Sequence, residues 1–139
     1  MKISIFIFFI LISINSCKQH NNIADEKNYI LIGTDSFHHV IASKILVNKY
    51  DISMKLVMLY STDTILISKG FYKGKLHNGP SENFYMDGKL LSSEFYENGI
   101  KDGLQENYYP NGKLKKKEKY ESGKLVLSEN FDSSGNKIK

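Results

Sequence analysis

Phe95-Tyr96-Glu97-Asn98-Gly99-Ile100-Lys101-Asp102-Gly103 is followed, after four residues, by Tyr108-Tyr109-Pro110-Asn111-Gly112-Lys113-Leu114. Each half carries an aromatic doublet and then an Asn-Gly dipeptide. Asn-Gly is a strong hairpin signal, because primed turns need positive φ at their central residues, which Gly adopts at no steric cost. Outward from this stretch the same beat continues as Glu-x-aromatic: Glu82/Phe84, Glu94/Tyr96, Glu106/Tyr108, Glu118/Tyr120 and Glu129/Phe131, with glutamate spacings of 12, 12, 12 and 11. A turn follows each: Asp87-Gly88, Asn98-Gly99, Asn111-Gly112, Ser122-Gly123 and Ser134-Gly135. The glycine falls alternately four and three residues after its aromatic, so two kinds of turn alternate and the true repeat is a pair of units, 24 residues long.

A turn every twelve residues leaves strands of about seven or eight. Period-two alternation in Leu90-x-Ser92-x-Glu94-x-Tyr96 and Leu125-x-Leu127-x-Glu129-x-Phe131 puts Leu, Glu and ring on one face. The lysine-rich Lys113–Tyr120 segment is too short between its turns for an independent helix and reads as a strand. Pairing about Asn111-Gly112 then sets Glu106 opposite Lys117, as a solvated cross-strand ion pair. The run of lysines reads as a guarded edge strand. Doublets such as Phe84-Tyr85 and Tyr108-Tyr109 put one ring on each face, one set stacking as core and the other lining a surface. Tyr85, Phe95, Tyr109, Lys115 and Lys117 are therefore the candidate interaction residues. The last two units decay toward a cap with a polar outer face.

The quoted stretch resembles the MORN-repeat variant, whose pattern is Tyr-x-Asn-Gly-x-x-x-Gly and then Tyr-Tyr-x-Asn-Gly-Lys. The resemblance extends over residues 70–137, with one unit near the full pattern and its neighbours departing from it. It implies a mainly all-β fold, an elongated antiparallel meander of MORN-like β-hairpin repeats. It also implies an exported bacterial lipoprotein and carries the label of a toxin-antitoxin antitoxin. Eukaryotic relatives of the motif are associated with membrane and protein scaffolding, and no residue here is assigned to lipid by that route.

Residues 28–69 read as an N-terminal β-rich cap covering the open edge of the 70–139 repeat region. Asn28–Gly33, Met54–Tyr60 and Thr64–Ser68 are short Ile, Val and Leu-rich strands, with Ser61-Thr62-Asp63 as the turn between the last two. Ser36–Lys49 fits either a helical stripe capped by Ser36 or a strand, and is assigned as strand.

Upstream, Ile3–Ile14 has ten apolar residues in twelve after Lys2, the pattern of a secretory h-region. As a helix it would span about 18 Å against a bilayer core of about 30 Å, so residues 1–16 are expected to be a cleaved signal peptide rather than an anchor. Ile14-Asn15-Ser16-Cys17 resembles the lipobox of bacterial lipoproteins, with Asn15 in place of the usual small residue. That resemblance implies acylation of Cys17, the chain's single cysteine, with palmitate-type chains holding it to the membrane. Residues 17–27 are polar and read as a tether. The destination is the bacterial cell envelope, at the outer membrane or the periplasmic face.

The chain has 139 residues, 41% hydrophobic and 24% charged, which is room for one domain. All 19 basic residues are Lys, and the net charge of +4 is spread along the chain, so the planar forks that read base edges are absent and nucleic acid is not an expected partner. His38-His39 lacks a third ligand nearby and on a strand would point to opposite faces, so no metal is expected. Asp132–Asn136 lacks the downstream glutamate of a calcium loop and reads as a turn. Recurring glutamates make a structural ladder, because a catalytic pair breaks symmetry. With no phosphate cradle or nucleophile elbow, neither cofactor nor enzymatic activity is expected. The sequence thus reads as a non-enzymatic, membrane-tethered envelope lipoprotein offering a protein-interaction or scaffold surface. The alternative is an antitoxin or immunity-type inhibitor of a toxic partner protein.

Overall fold

The computed structural model describes residues 26–37 and 41–138. The leader, Cys17, most of the tether and the His38-His39 pair lie outside the described residues. After a single 3-10 turn at Glu26–Asn28, the strands are β1 Tyr29–Phe37, β2 Ile41–Asn48, β3 Met54–Tyr60, β4 Leu66–Lys73, β5 Leu76–Phe84 and β6 Leu90–Glu97. They continue with β7 Ile100–Lys101, β8 Gly103–Tyr108, β9 Leu114–Glu121, β10 Lys124–Phe131 and β11 Lys137–Ile138. All belong to one antiparallel sheet that follows chain order from β1 to β11, with the short β7 pairing β6 beside the main path. This is the open meander expected from the turn rhythm. Ser36–Lys49 is extended over Ile41–Asn48, as assigned. The position between residues 69 and 70 falls inside β4.

Two turn geometries alternate because glycine spacing alternates. In the five-residue loops Ser61–Ile65, Tyr85–Lys89, Tyr109–Lys113 and Asp132–Asn136, the first N–H donates to the fifth carbonyl and the fourth N–H donates to the first carbonyl, all within 2.8–3.0 Å. The fourth residue always has positive φ: Thr64 at 62°, Gly88 at 82°, Gly112 at 81° and Gly135 at 91°. At the opposite end, Asn98-Gly99 and Ser122-Gly123 have positive φ at both residues, the primed two-residue turn that matches strand twist. A register shift precedes three of the long loops, at Leu59/Tyr60, Asn83/Phe84 and Asn107/Tyr108, 24 residues apart. The repeat therefore begins at β3, earlier than the aromatic doublets show.

Successive units are stitched at both ends. At the long loops, Tyr85 Oη donates to the Tyr108 carbonyl at 2.7 Å and Tyr109 Oη to the Phe131 carbonyl at 2.9 Å. Asn111 Nδ2 and Lys113 Nζ donate to the carbonyls of Ser133 and Ser134. At the short turns, the N–H groups of Gly74, Gly99 and Gly123 donate to the carbonyls of Ser53, His77 and Lys101. Asn78 and Asp102, 24 residues apart, each accept the N–H of the next unit's turn, from Asn98 and Ser122 at 3.0 Å.

The apolar core is confined to the early strands: Tyr29, Met54, Leu56 and Phe71 are buried, with Leu46 and Met58 against them. Tyr29 meets Phe71 edge-on at 5.4 Å, and Phe71 lies over Gly79, where a Cβ would come within 3.1 Å of it. Further along the array the buried residues are polar: Ser81, Ser92, Gln105 and Glu118. A stacked-ring core through the whole array is thus corrected to a ring core at one end and a polar ladder at the other. Among the described residues extensive contacts run only between sheet neighbours, so these strands form one layer in which few apolar groups are fully enclosed. For the same reason the terminal strands differ from their expected roles. β1 is itself an edge with exposed Ile30, Leu31 and Ile32, and β10 exposes Leu125, Val126 and Leu127 where a polar outer face was expected.

Candidate interaction surface

The glutamate beat becomes a set of local bonds whose form depends on the ring that follows. Where the ring is Tyr, its hydroxyl donates to the glutamate two residues before: Tyr96 to Glu94 at 3.0 Å, Tyr108 to Glu106 at 2.8 Å and Tyr120 to Glu118 at 3.5 Å. Where the ring is Phe, a lysine alone takes the carboxylate, as Lys69 does Glu82 at 3.0 Å and Lys137 does Glu129 at 2.6 Å, whereas Glu94 and Glu118 hold a lysine, Lys101 and Lys116, beside their tyrosine. Burial, and then the neighbouring carboxylate, push the hydroxyls of Tyr96 and Tyr108 up to about 12. Glu82, Ser93, Glu106, Lys117 and Glu129 share one row across five strands, while Ser81 faces Glu94 and Gln105 faces Glu118 on the opposite face. The beat therefore switches face every twelve residues and returns after 24.

The register that sets Glu106 opposite Lys117 is present. The ion pair expected there is replaced by the shorter reach to Tyr108 on Glu106's own strand. β9 lies between β8 and β10, so its lysines do not guard an edge. Instead they alternate faces and find local partners: Lys116 pairs with Glu118, Lys119 with Glu121 at 2.8 Å, and Lys115 Nζ sits 5.6 Å above the Tyr109 ring.

The five surface candidates thus occupy different settings. Tyr85 and Tyr109 are half-buried, their hydroxyls committed to the next hairpin. Lys115 is exposed, while Phe95 and Lys117 are half-buried. Tyr85 and Lys115 meet at a shallow groove of about 270 Å³, shared with Leu91, Asn107, Tyr108 and Lys116. Phe95, Tyr109 and Lys117 do not line it.

Sequence reasoning missed a second cluster. His77 lies between two tyrosines, 4.1 Å from the Tyr72 ring and 5.0 Å from the Tyr96 ring. Its buried Nδ1 has no hydrogen-bond partner. Desolvation holds the imidazole below its ordinary pKa against the upward pull of Glu94, so neutral His77 serves as a third ring in the stack. The signal was the cross-strand placement of Tyr72 opposite His77, which a register shift after Gly70 produces and no turn spacing announces.

Among the described residues, no three His, Cys, Asp or Glu side chains come together as a metal site, and no helix is long and apolar enough to cross a membrane. What the surface offers is recurrence: the same hydrogen bonds around the same turns at a fixed pitch. Residues 101–121 match the family model described as MORN repeat variant. That window runs from β7 through β8 and the Tyr109–Lys113 loop to the end of β9, nearly one MORN unit. The repeat is the basis of an interaction or scaffold surface. No curated protein matches the chain. Among solved structures it is similar to a crystal structure of TarM, with 20% identity and a TM-score of 0.37 over 66% of this chain and 19% of that one. It is also similar to an S. aureus TarM point mutant in complex with fondaparinux, alpha-GlcNAc-glycerol and UDP, with 19% identity and a TM-score of 0.39 over 71% and 21% of the two chains. This chain spans about a fifth of the length of those proteins.

Proposed function

We propose that this protein is a non-enzymatic lipoprotein of the bacterial cell envelope, tethered through Cys17, whose MORN-like array binds a partner protein along its long-loop end. The observation that carries the reading is the groove between successive long loops. Its tyrosine wall is fixed by the Tyr85-to-Tyr108 hydrogen bond, and Lys115 projects beside it. An aromatic wall on a pre-ordered sheet with a lysine at its rim suits a protein surface carrying an apolar contact and a carboxylate, because little side-chain entropy is lost on binding. The apolar leader and the Cys17 context support export and acylation.

The tether is tested by palmitate labelling and globomycin sensitivity. Both are expected in the native chain and lost in Cys17→Ala, and an unlabelled soluble product would remove the tether. The surface is tested by capturing partners from envelope extracts with the native chain and with Lys115→Glu. Loss of a specific captured protein in the variant, with the circular dichroism signal intact, is the expected result. Equal capture by both would place binding elsewhere.

A further inference from the structure

The short-turn edge carries a second ladder, away from the groove. Ile52, Leu76 and Ile100 follow one another at 24-residue intervals, each at or just after a turn, and are 82%, 52% and 52% exposed. Leu76 and Ile100 are held in place by the next turn: a Cβ on Gly99 would come within 3.2 Å of Leu76, and one on Gly123 within 2.7 Å of Ile100. Two strands per unit give the ladder a pitch of about 9.5 Å. The charges around it change sign along the array. Exposed Lys73 and Lys75 flank Leu76, with Asp51 near Lys73, whereas Glu97 and Asp102 flank Ile100, whose neighbour Lys101 is paired with Glu94. Among the described residues neither Lys75 nor Glu97 has an ion pair. A hollow of about 190 Å³ lies beside Ile100, lined by Glu97, Asn98, Asp102 and Ser122.

We propose that this edge docks a second copy of the chain, antiparallel, about a two-fold axis between the Gly74 and Gly99 turns. That axis sets Leu76 against Ile100 of the second copy, and Lys73 and Lys75 against Glu97 and Asp102 of the second copy, with each contact made twice. A second copy has the matching pitch, and the sign change between adjacent turns makes the edge complementary to itself when reversed, which is what selects this chain as its own partner. Lys75 of one copy enters the acidic hollow of the other. Edge contact buries less than a standard interface, so the dimer is reversible and concentration-dependent. The inference goes beyond the partner-binding groove and does not depend on it.

The test is sedimentation equilibrium of the full-length chain in a density-matched detergent, over a range of protein and salt concentrations. A monomer–dimer equilibrium weakened by salt is expected. Glu97→Lys and Lys75→Glu should each weaken the dimer at least about tenfold, and combining them should restore it, because the swap returns opposite charges to facing positions. Leu76→Asp, which removes the apolar contact, should also give monomer with the circular dichroism signal unchanged. Lys115→Glu, in the groove, should leave the dimer unchanged, which separates this contact from partner binding. A single-chain mass throughout, a dimer indifferent to Glu97→Lys, or no recovery in the swapped pair would overturn the proposal.

Discussion

Gly112 and Gly123 have nearly the same φ, 81° and 83°, but different surroundings. A Cβ on Gly112 meets nothing within 4 Å, whereas one on Gly123 would stand 2.7 Å from Ile100 Cγ2. Alanine at either site incurs the left-handed penalty of about 1–2 kcal/mol, partly offset by about 0.4–1 kcal/mol from a less flexible unfolded chain. Gly112→Ala should therefore cost about 1 kcal/mol. Gly123→Ala adds overpacking, at about 1–3 kcal/mol when the neighbour cannot yield, for a total of about 2–4 kcal/mol. Ile100 is half-exposed and can move in part, so the lower half of that range is expected. The assay is urea unfolding at a dilute, monomeric concentration, with Ile100→Ala as the third arm. Removing the Ile100 methyl should recover most of the extra loss in Gly123→Ala and none of the loss in Gly112→Ala. Equal losses at the two glycines, or additivity between Gly123→Ala and Ile100→Ala, would refute the contact and with it the seating of Ile100 on the next turn.

Thr64 stands where the other long loops carry glycine, a β-branched residue at φ 62°, so Thr64→Gly should stabilise by about 0.5–1 kcal/mol and raise the melting temperature by a few degrees. Valine at Gly112, branched in the same way, should cost more than alanine, about 2–3 kcal/mol, and expose the amides of the Tyr109–Lys113 hairpin to hydrogen exchange. Tyr85→Phe and Tyr109→Phe each delete one bond between units, at about 0.5–1.5 kcal/mol by denaturant unfolding. Tyr96 and Tyr108 titrate near 12 when folded against about 10 when unfolded. Their contribution is complete below pH 10 and is lost as pH rises through 10 to 12. Absorbance at 295 nm should show a late phenolate phase, joined by Tyr29 and Tyr72, which burial also raises, and Tyr96→Phe with Tyr108→Phe should shrink that phase by two groups and flatten the alkaline loss of stability.

The Asn-Gly and Ser-Gly dipeptides reveal strand ends and the alternation of turns, because positive φ leaves a mark in residue type. Thr64 leaves none, which is why the turn residues place the start of the repeat a unit late. The Glu106–Lys117 register follows from counting back from Asn111-Gly112. What each glutamate binds does not follow, since whether it takes the tyrosine two residues away, a lysine or both, as Glu94 does, depends on reach. Burial was least legible. Gln105 at 1% exposure and Glu118 at 8% are buried although neither is apolar, so no hydrophobic pattern marks them. The Leu76 and Ile100 ladder keeps the same 24-residue period, but its residues are neither glycine nor aromatic, so the turn rhythm does not mark it.

The alternation of faces limits how such a chain can lengthen or shorten. Because a glutamate returns to the same side of the sheet only after two hairpin arms, gain or loss of a single arm of twelve residues would invert every downstream side chain and join a long loop's acceptors to a short turn's donors. Duplication or deletion of 24 residues keeps both sets matched. Natural variation in array length among related sequences should therefore come in whole double-arm steps, and a grafted extra unit spanning residues 85–108 should fold while a graft of its first half should not.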